Sequence, residues 1–311
     1  MPKVAAGQPL HIVVTCTNRK RQVVPTELRL GQLSHRTPAA RFAAWTARLG
    51  DDAHPRYPAL DLYAGEHWQI ARTLTAETPV GRNAVLWVAS AGYGLIPADA
   101  AICAYGATFS APADDTVGAT LDEVASWWQR LGDWPGPAPD RPRTFAEMAR
   151  RSPNGKIIAV LSEAYQRACC DDLIAAAGIL EPEALSVIGP PDARPELADV
   201  LVPITATLRH TVGGSLQALN VRAAKHLLKH GAGSGRSALR AAALAAVPAN
   251  PPAARATGQR MSDADICAYI RAHLPMTATQ LLRRLRETGR SCEQGRFGRL
   301  HAEVRQQVRL P

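Results

Sequence analysis

Four short apolar runs, each ended by polar or glycine residues, constrain the fold of this chain more than any other feature. They lie at 11–16, 85–90, 156–162 and 184–189, and a weaker fifth run lies at 200–204. Runs of this length that are rich in Val and Ile are typical of strands buried on both faces. Helical segments separate them, so the pattern predicts an α/β fold with a mainly parallel central sheet flanked by helices.

The segments between the strands show helical periodicity at several places. Helices are predicted at 39–49, 66–74, 121–131 and 144–151, then from residue 163 to near Gly178 and from about residue 220 to His230. The segment 95–110 is predicted to be an irregular, polar-edged loop.

Positive charge is concentrated in the C-terminal part of the chain. Residues 204–311 hold 17 Lys and Arg and five acidic residues, whereas residues 1–203 hold 19 and 22. This asymmetry favours a polyanionic partner that is bound through the C-terminal part. A genome that prefers Arg to Lys is an alternative explanation, but such a bias would not spare the first 203 residues.

The composition predicts an α/β domain at 1–230, a helix and a Gly-, Ala- and Pro-rich linker at 231–260, and a basic module at 261–311. In the module, helices are predicted at 263–274, 277–288 and 292–308, the first with Ser262 as its N-cap. A short helix, a glycine turn and a longer basic helix resemble a helix-turn-helix. The predicted apolar core of the module is Leu281, Leu282, Leu285, Phe297, Leu300 and Val304. A dimerisation tail would show the same pattern.

Several classes of protein are excluded or disfavoured by missing motifs. The six cysteines form no C-x-x-C pair, and no dinucleotide-binding or P-loop glycine motif is present, so no metal or cofactor is expected. The adjacent Cys169 and Cys170 are predicted to be buried thiols. The chain shows no signal peptide and no apolar run long enough to cross a bilayer, which predicts a cytoplasmic protein without a membrane partner.

Polar residues follow the predicted strands where an α/β sheet would present a ligand site. Thr17, Asn18, Arg19 and Lys20 follow the first strand, and ligands bind beyond the carboxyl ends of strands in such sheets. A solvated turn is the alternative. A serine hydrolase is excluded because no G-x-S-x-G elbow is present, and a zinc deaminase because its H-x-E and P-C-x-x-C motifs are absent.

Three motifs occur in an order that is similar to that of a known family. They are V-T-C-T-N-R-K at 14–20, D-L-Y-A-G-E-H-W-Q-I-A-R at 61–72 and S-A-G-Y-G-L-I at 90–96. The chain resembles the bacterial group that contains the YaaA-type peroxide-stress DNA-binding proteins, and through it the α/β sheet of uracil-DNA glycosylases. The resemblance covers about residues 10–110 and, loosely, 156–230, whereas the module lies outside it.

This resemblance implies a DNA glycosylase that hydrolyses the N-glycosidic bond of a flipped, modified base. Glucosylated 5-hydroxymethylcytosine in phage DNA is such a base, and its removal would serve antiviral defence. The loop after the first strand is implied to position water, which carries over to Thr17 and Asn18. The Asp that uracil enzymes have in this loop is missing, so uracil is not the expected substrate.

The candidate site residues fall into three groups. The predicted catalytic groups are Asn18 for water and Glu66 or Asp99 for the developing sugar cation. The predicted contacts of the extruded base are Thr17, His67, Ser90, Gly92, Tyr93 and Tyr105, the tyrosines by stacking. Tyr165 is a further tyrosine that could stack on the base. The predicted DNA contacts are Arg19, Lys20, Gly213, Gly214, Arg222, Lys225, Arg290, Arg296 and Arg299, with the two glycines expected to expose N–H groups before a helix.

Each of these residues also has a structural alternative, such as a cap, a surface charge or a core position. Two other functions stay open at this point: a non-catalytic DNA-binding stress protein, and a base-modifying transglycosylase that would need a second substrate.

Overall fold

A computed structural model describes residues 9–34, 37–78, 83–230, 235–249 and 259–308. The chain forms two compact units, Met1–Pro251 and Pro252–Pro311. The first unit extends beyond the predicted α/β domain, because helix Arg236–Ala245 buries Leu239 and Ala243 in the same core. Part of the predicted linker, at 231–234 and 250–258, lies outside the described residues.

The first unit is built on a six-stranded sheet of order β4-β3-β1-β6-β7-β8. Its strands are parallel except β4, which is antiparallel to β3. A separate antiparallel pair is formed by β2 and β5. The strands of this unit are β1 Leu10–Thr15, β2 Arg56–Pro58, β3 Ala84–Ser90, β4 Gly94–Pro97, β5 Ala101–Cys103, β6 Lys156–Val160, β7 Leu185–Gly189 and β8 Leu201–Pro203.

Burial explains why the apolar runs form this sheet. All six residues of β1 and all five of β7 are buried, as expected for parallel strands covered on both faces. Helices cover the sheet, among them α6 (Glu163–Ala177), whose Cys169 and Cys170 are buried thiols as predicted. The α/β class with a mostly parallel central sheet is therefore confirmed.

The helices of the first unit lie close to their predicted positions where the periodicity is strong. They are α1 Pro38–Gly50, α2 Ala59–Leu62, α3 Glu66–Ala71, α4 Leu121–Asp133, α5 Phe145–Arg151, α6 Glu163–Ala177, α7 Arg209–Val212, α8 Leu219–His230 and α9 Arg236–Ala245. None of the described helices is long and apolar enough to cross a membrane.

The prediction of an irregular loop at 95–110 is wrong for its first part. Residues Gly94–Pro97 form edge strand β4, and Ala101–Cys103 form β5. Gly94 has φ +74°, and the Arg143 guanidinium donates to the carbonyls of Tyr93 and Leu95. This turn is therefore fixed by a side chain that is distant in the sequence, which local periodicity does not reveal.

Residues 259–308 of the second unit form three helices and one short parallel strand pair. The helices are α10 Asp263–Ala272, α11 Ala278–Glu287 and α12 Gln294–Val308, and the strands are β9 Gln259–Arg260 and β10 Arg290–Ser291. Ser262 caps α10 as predicted, since its hydroxyl accepts a hydrogen bond from the Asp265 N–H. The six predicted apolar core positions are all buried, together with Ile266, Ile270 and Cys292.

Candidate functional site

A cleft of about 670 Å³ opens at the carboxyl end of β1. Strand β1 lies in the middle of the sheet between β3 and β6, where ligand sites of open α/β sheets occur. The loop after β1 and the start of α3 form one wall of the cleft. The lining residues are Thr15, Cys16, Thr17, Asn18, Arg19, Ala64, Gly65, Glu66, His67, Thr108, Ser110, Ser162, Tyr165, Ser215, Gln217 and Ala218.

The loop after β1 is held to the start of α3 by backbone contacts. The Thr17 hydroxyl lies 2.8 Å from the Arg19 carbonyl oxygen and 3.1 Å from that of Ala64. The Ala64 N–H donates back to Arg19. Gly65 has φ +95°, a conformation that favours glycine. Thr17 is therefore occupied in shaping the loop, whereas the exposed Asn18 side chain makes no hydrogen bond to another described residue.

Glu66 lies in the cleft as an ionised carboxylate that is bound on both oxygens. The Ser215 hydroxyl donates to Oε2 at 2.8 Å, and Arg222 donates from Nε to Oε1 at 2.7 Å and from Nη2 at 2.6 Å. These contacts, led by the Ser215 hydrogen bond, lower the pKa of Glu66. Glu66 is therefore unsuited to donate a proton, but it can stabilise a positive charge nearby.

His67 is half-buried and hydrogen-bonded to the end of β1. Its Nε2 lies 3.2 Å from the carbonyl oxygen of Thr15, which must accept, so this nitrogen carries the proton. Burial lowers the pKa of His67, against a smaller opposing effect of that hydrogen bond. A neutral ring leaves Nδ1 as an acceptor, so His67 is not suited to protonate a leaving base.

Sequence reasoning missed three residues that line the cleft, namely Cys16, Ser162 and Gln217. Tyr165 was predicted to be able to stack on a base, and Ser110 was noted as a polar residue of the predicted loop. Cys16 and Tyr165 share a hydrogen bond of 2.9 Å between Sγ and the phenol oxygen. Ser162 follows β6 as Thr17 follows β1, so the rule applied to the first strand would have found it. Gln217 follows no such strand end, and no local signal marks it.

The second predicted group of base contacts is buried under the end of β3 instead of facing the cleft. Ser90, Tyr93 and Tyr105 are all 0% exposed. The Tyr105 hydroxyl lies 2.6 Å from the Ser90 hydroxyl and 2.9 Å from that of Tyr63. Gly92 touches the Tyr105 ring so closely that a Cβ there would lie 2.5 Å from it. These positions contradict the prediction that the two tyrosines stack on a base.

Asp99 lies far along β3 from the cleft. It is exposed in the turn after β4, where the Ala98 N–H donates to the Leu86 carbonyl, four residues before the end of β3. Asp99 is not among the residues that line the cleft. Its predicted catalytic role is therefore contradicted, and Glu66 is the carboxylate of the cleft.

The predicted phosphate seat at Gly213 and Gly214 is also contradicted. Helix α8 begins at Leu219, and a 3-10 turn, Leu216–Ala218, separates it from the glycines. The positive φ of Gly214 lets the chain pass around Arg222, whose Nε would lie 2.0 Å from an added Cβ. Gly214 therefore makes room for the Arg222 side chain of the ion pair with Glu66, and the Gly213 N–H is already bonded to the Arg209 carbonyl oxygen.

Three of the predicted DNA-binding cations of the first unit are occupied within the protein. Arg222 is bound to Glu66, and Lys225 lies 3.1 Å from Glu77. The Lys20 ammonium lies 4.2 Å from the centre of the Tyr105 ring, and burial lowers its pKa. Among the predicted cations of this unit, the exposed Arg19 lines the cleft.

The three predicted cations of the second unit differ from one another. Arg290 is exposed and makes no ion pair with a described residue. Arg299 is exposed and lies 3.9 Å from Glu303. Arg296 is bound to Asp263 and to the Met261 carbonyl, so it joins α12 to α10 and is not available to DNA.

The cleft combines one ionised carboxylate, the two amides of Asn18 and Gln217, which make no hydrogen bond to a described residue, and several hydroxyl groups. Within the described part of the chain, no group of three His, Cys, Asp or Glu side chains is placed to hold a metal ion. Comparisons of the chain with family models, with curated proteins and with solved structures returned no match.

Proposed function

We propose that the cleft hydrolyses the N-glycosidic bond of a modified base that is extruded from DNA. The observation that supports this most is the pair of Glu66 and Asn18 in one cleft at the end of β1. Glu66 is held ionised by Ser215 and Arg222. Asn18 offers an amide that no other described residue uses.

These two groups match the needs of the reaction. When the C1′–N bond breaks, its electron pair leaves with the base and positive charge develops on the sugar. The Glu66 carboxylate stabilises that charge. The Asn18 amide orients a water molecule that adds its oxygen to C1′, and the proton released from this water balances the charge on the departing base.

The lining of the cleft supports a base with a hydroxyl-rich substituent, such as a glucosylated hydroxymethylcytosine. Small polar side chains dominate it, including Ser110, Ser162 and Gln217. The aromatic side chains in the lining are His67 and Tyr165, and Tyr165 is largely buried with its hydroxyl bonded to Cys16. The hydroxyl groups of the lining can donate and accept hydrogen bonds, which suits a sugar substituent better than an unsubstituted apolar ring.

A non-catalytic DNA-binding role is the second candidate. It is favoured by the engagement of both Glu66 oxygens, because such a bridge between α3 and α8 also has a purely structural use. Under this alternative the cleft would bind DNA without releasing a base.

The deciding experiment compares duplexes that contain cytosine or glucosylated hydroxymethylcytosine after incubation with the purified protein. We expect alkali-labile sites at the modified base only. Asn18→Ala and Glu66→Gln should remove them while DNA binding persists, whereas the matched control Asp99→Asn, outside the cleft, should keep full activity. If the wild-type protein leaves the modified DNA intact, the proposed reaction is refuted and DNA binding without catalysis remains as the candidate function.

A further inference from the structure

The second unit contains a basic groove of about 910 Å³ between α11, β10 and the start of α12. Arg283, Arg286 and Arg290 line it, and the acid in its lining is Glu287. Glu287 lies 3.4 Å from Arg283 in an exposed i,i+4 pair, which is worth little in water. The lining therefore carries more positive than negative charge.

One wall of the groove allows close approach to a helix backbone. Gln294 and Gly298 are one turn apart on the same face of α12, and both line the groove. A Cβ added at Gly298 would meet nothing within 4 Å. The missing side chain thus leaves open space next to the three arginines.

We infer that this groove seats the sugar–phosphate backbone of duplex DNA. The choice of DNA as the polyanion rests on the proposed function. Arginines bind phosphate oxygens through charge-assisted hydrogen bonds, often bidentate, and the exposed Arg290 makes no ion pair with a described residue. The inference selects Arg283, Arg286 and Arg290 as contacts in place of Arg296, which is bound to Asp263. Arg286 donates one hydrogen bond to the Cys292 carbonyl oxygen but makes no ion pair with a described residue.

The test measures binding of the full chain to an unmodified labelled duplex by fluorescence anisotropy over a range of salt concentrations. Arg290→Ala should weaken binding roughly tenfold and lower the slope of log affinity against log salt by about 0.9. Arg305→Ala is the matched control: it also removes one positive charge, but from a residue of α12 that does not line the groove. This variant should change neither the affinity nor the salt slope.

Gly298→Glu is the sharper variant. A non-glycine residue favours the helix and its Cβ enters open space, so the thermal midpoint should not fall. The added carboxylate should nevertheless abolish duplex binding, whereas Gly298→Ala should retain most of it. Thermal melting of each variant separates a loss of binding from a loss of folding.

Equal binding by the Arg290→Ala and Arg305→Ala proteins would overturn the inference, and so would unchanged binding by Gly298→Glu. Tighter binding to duplex RNA than to duplex DNA would overturn the choice of partner. A protein that binds DNA through the groove but releases no base would refute the proposed reaction alone. A protein that releases the base with the groove variants unaffected would refute this inference alone.

Discussion

The ends of β1 and β3 look alike in the sequence but differ in the structure. Both strands are largely buried runs that end at small or polar residues, Thr17 and Asn18 after β1 and Ser90 and Gly92 at the end of β3. The end of β1 opens into the cleft, whereas the end of β3 is covered by other elements. Polar residues at a strand end therefore mark a site only when no further layer covers that end.

Three side chains, two from helices and one from the loop before α5, satisfy the backbone carbonyls beyond β3. Trp127 of α4 donates to Ala91, Trp45 of α1 donates to Gly92, and Arg143 donates to Tyr93. Every one of these contacts is buried, and burial lowers the pKa of Arg143 to about 10. Buried backbone groups need such partners, so the carbonyls directly beyond β3 are not free to bind a ligand.

The largest expected effect is on stability, from removal of the buried guanidinium. Arg143→Met leaves the carbonyls of Tyr93, Leu95 and Leu131 without this donor. The free energy of unfolding should fall by about 3 kcal/mol or more, as measured by urea denaturation. Arg141→Met, which loses an exposed contact with the Trp87 ring, should cost less than about 1 kcal/mol. Equal losses of unfolding free energy in the two variants would show that Arg143 does not hold the segments that cover the end of β3.

At the other strand end, the expected effect is on the reaction. Asn18→Ala should slow base release roughly 10²- to 10³-fold, which is typical for the loss of one positioned donor. Because Asn18 is exposed, the free energy of unfolding of the Asn18→Ala protein should stay within about 0.5 kcal/mol of the wild-type value. Single-turnover base release and urea denaturation measure the two quantities. A loss of stability with no loss of rate would contradict this prediction, because it would show that Asn18 supports the fold and not the reaction.

Ser90→Ala tests the covered end with a small change. The Ser90 hydroxyl accepts from the N–H groups of Gly92 and Tyr93 and contacts the Tyr105 hydroxyl. Its loss should cost about 1–3 kcal/mol of stability and leave the rate of base release per folded molecule unchanged. A slower reaction in folded protein would place Ser90 in the site after all.

The smallest effect concerns pH. Burial lowers the pKa of His11, helped by Arg141, and that of His67. The unfolded chain then binds more protons than the folded one below the ordinary histidine pKa. The contribution of the two histidines to the free energy of unfolding should be fully present above about pH 6.5. It should decrease on acidification, by at most about 1.4 kcal/mol per pH unit for each histidine.

Urea midpoints measured between about pH 8 and pH 5 test this pH dependence. His11→Gln and His67→Gln should each reduce it, and of the two only His67→Gln should also change base release, because His67 lines the cleft. A slope that stays unchanged in both variants would assign the pH dependence to other groups.

The sequence predicted the parts of the fold that depend on local burial patterns. Strands β1, β3, β6 and β7 lie within two residues of their apolar runs, because strands buried on both faces leave a continuous signal. Strand β4 was missed because four residues between Gly94 and Pro97 show no periodicity until β3 is placed beside them. In the cleft, Thr17, Asn18, Glu66 and His67 were found because they follow a strand or open a helix.

The errors in the predicted site have a common physical cause. The burial of Tyr93 and Tyr105 depends on Trp45, Trp127 and Arg143, which are distant in sequence. The role of Gly214 depends in the same way on the Arg222 side chain that passes beside it. Long-range packing decides whether a polar or aromatic residue is a ligand contact or a core residue, and one sequence contains no direct signal of it.

The most direct test of the central claim is the mass of the small product released from DNA with glucosylated hydroxymethylcytosine. If Glu66 and Asn18 act on the C1′–N bond, mass spectrometry should detect the base with its hexose still attached. Release of the hexose alone, or of no product, would contradict the account.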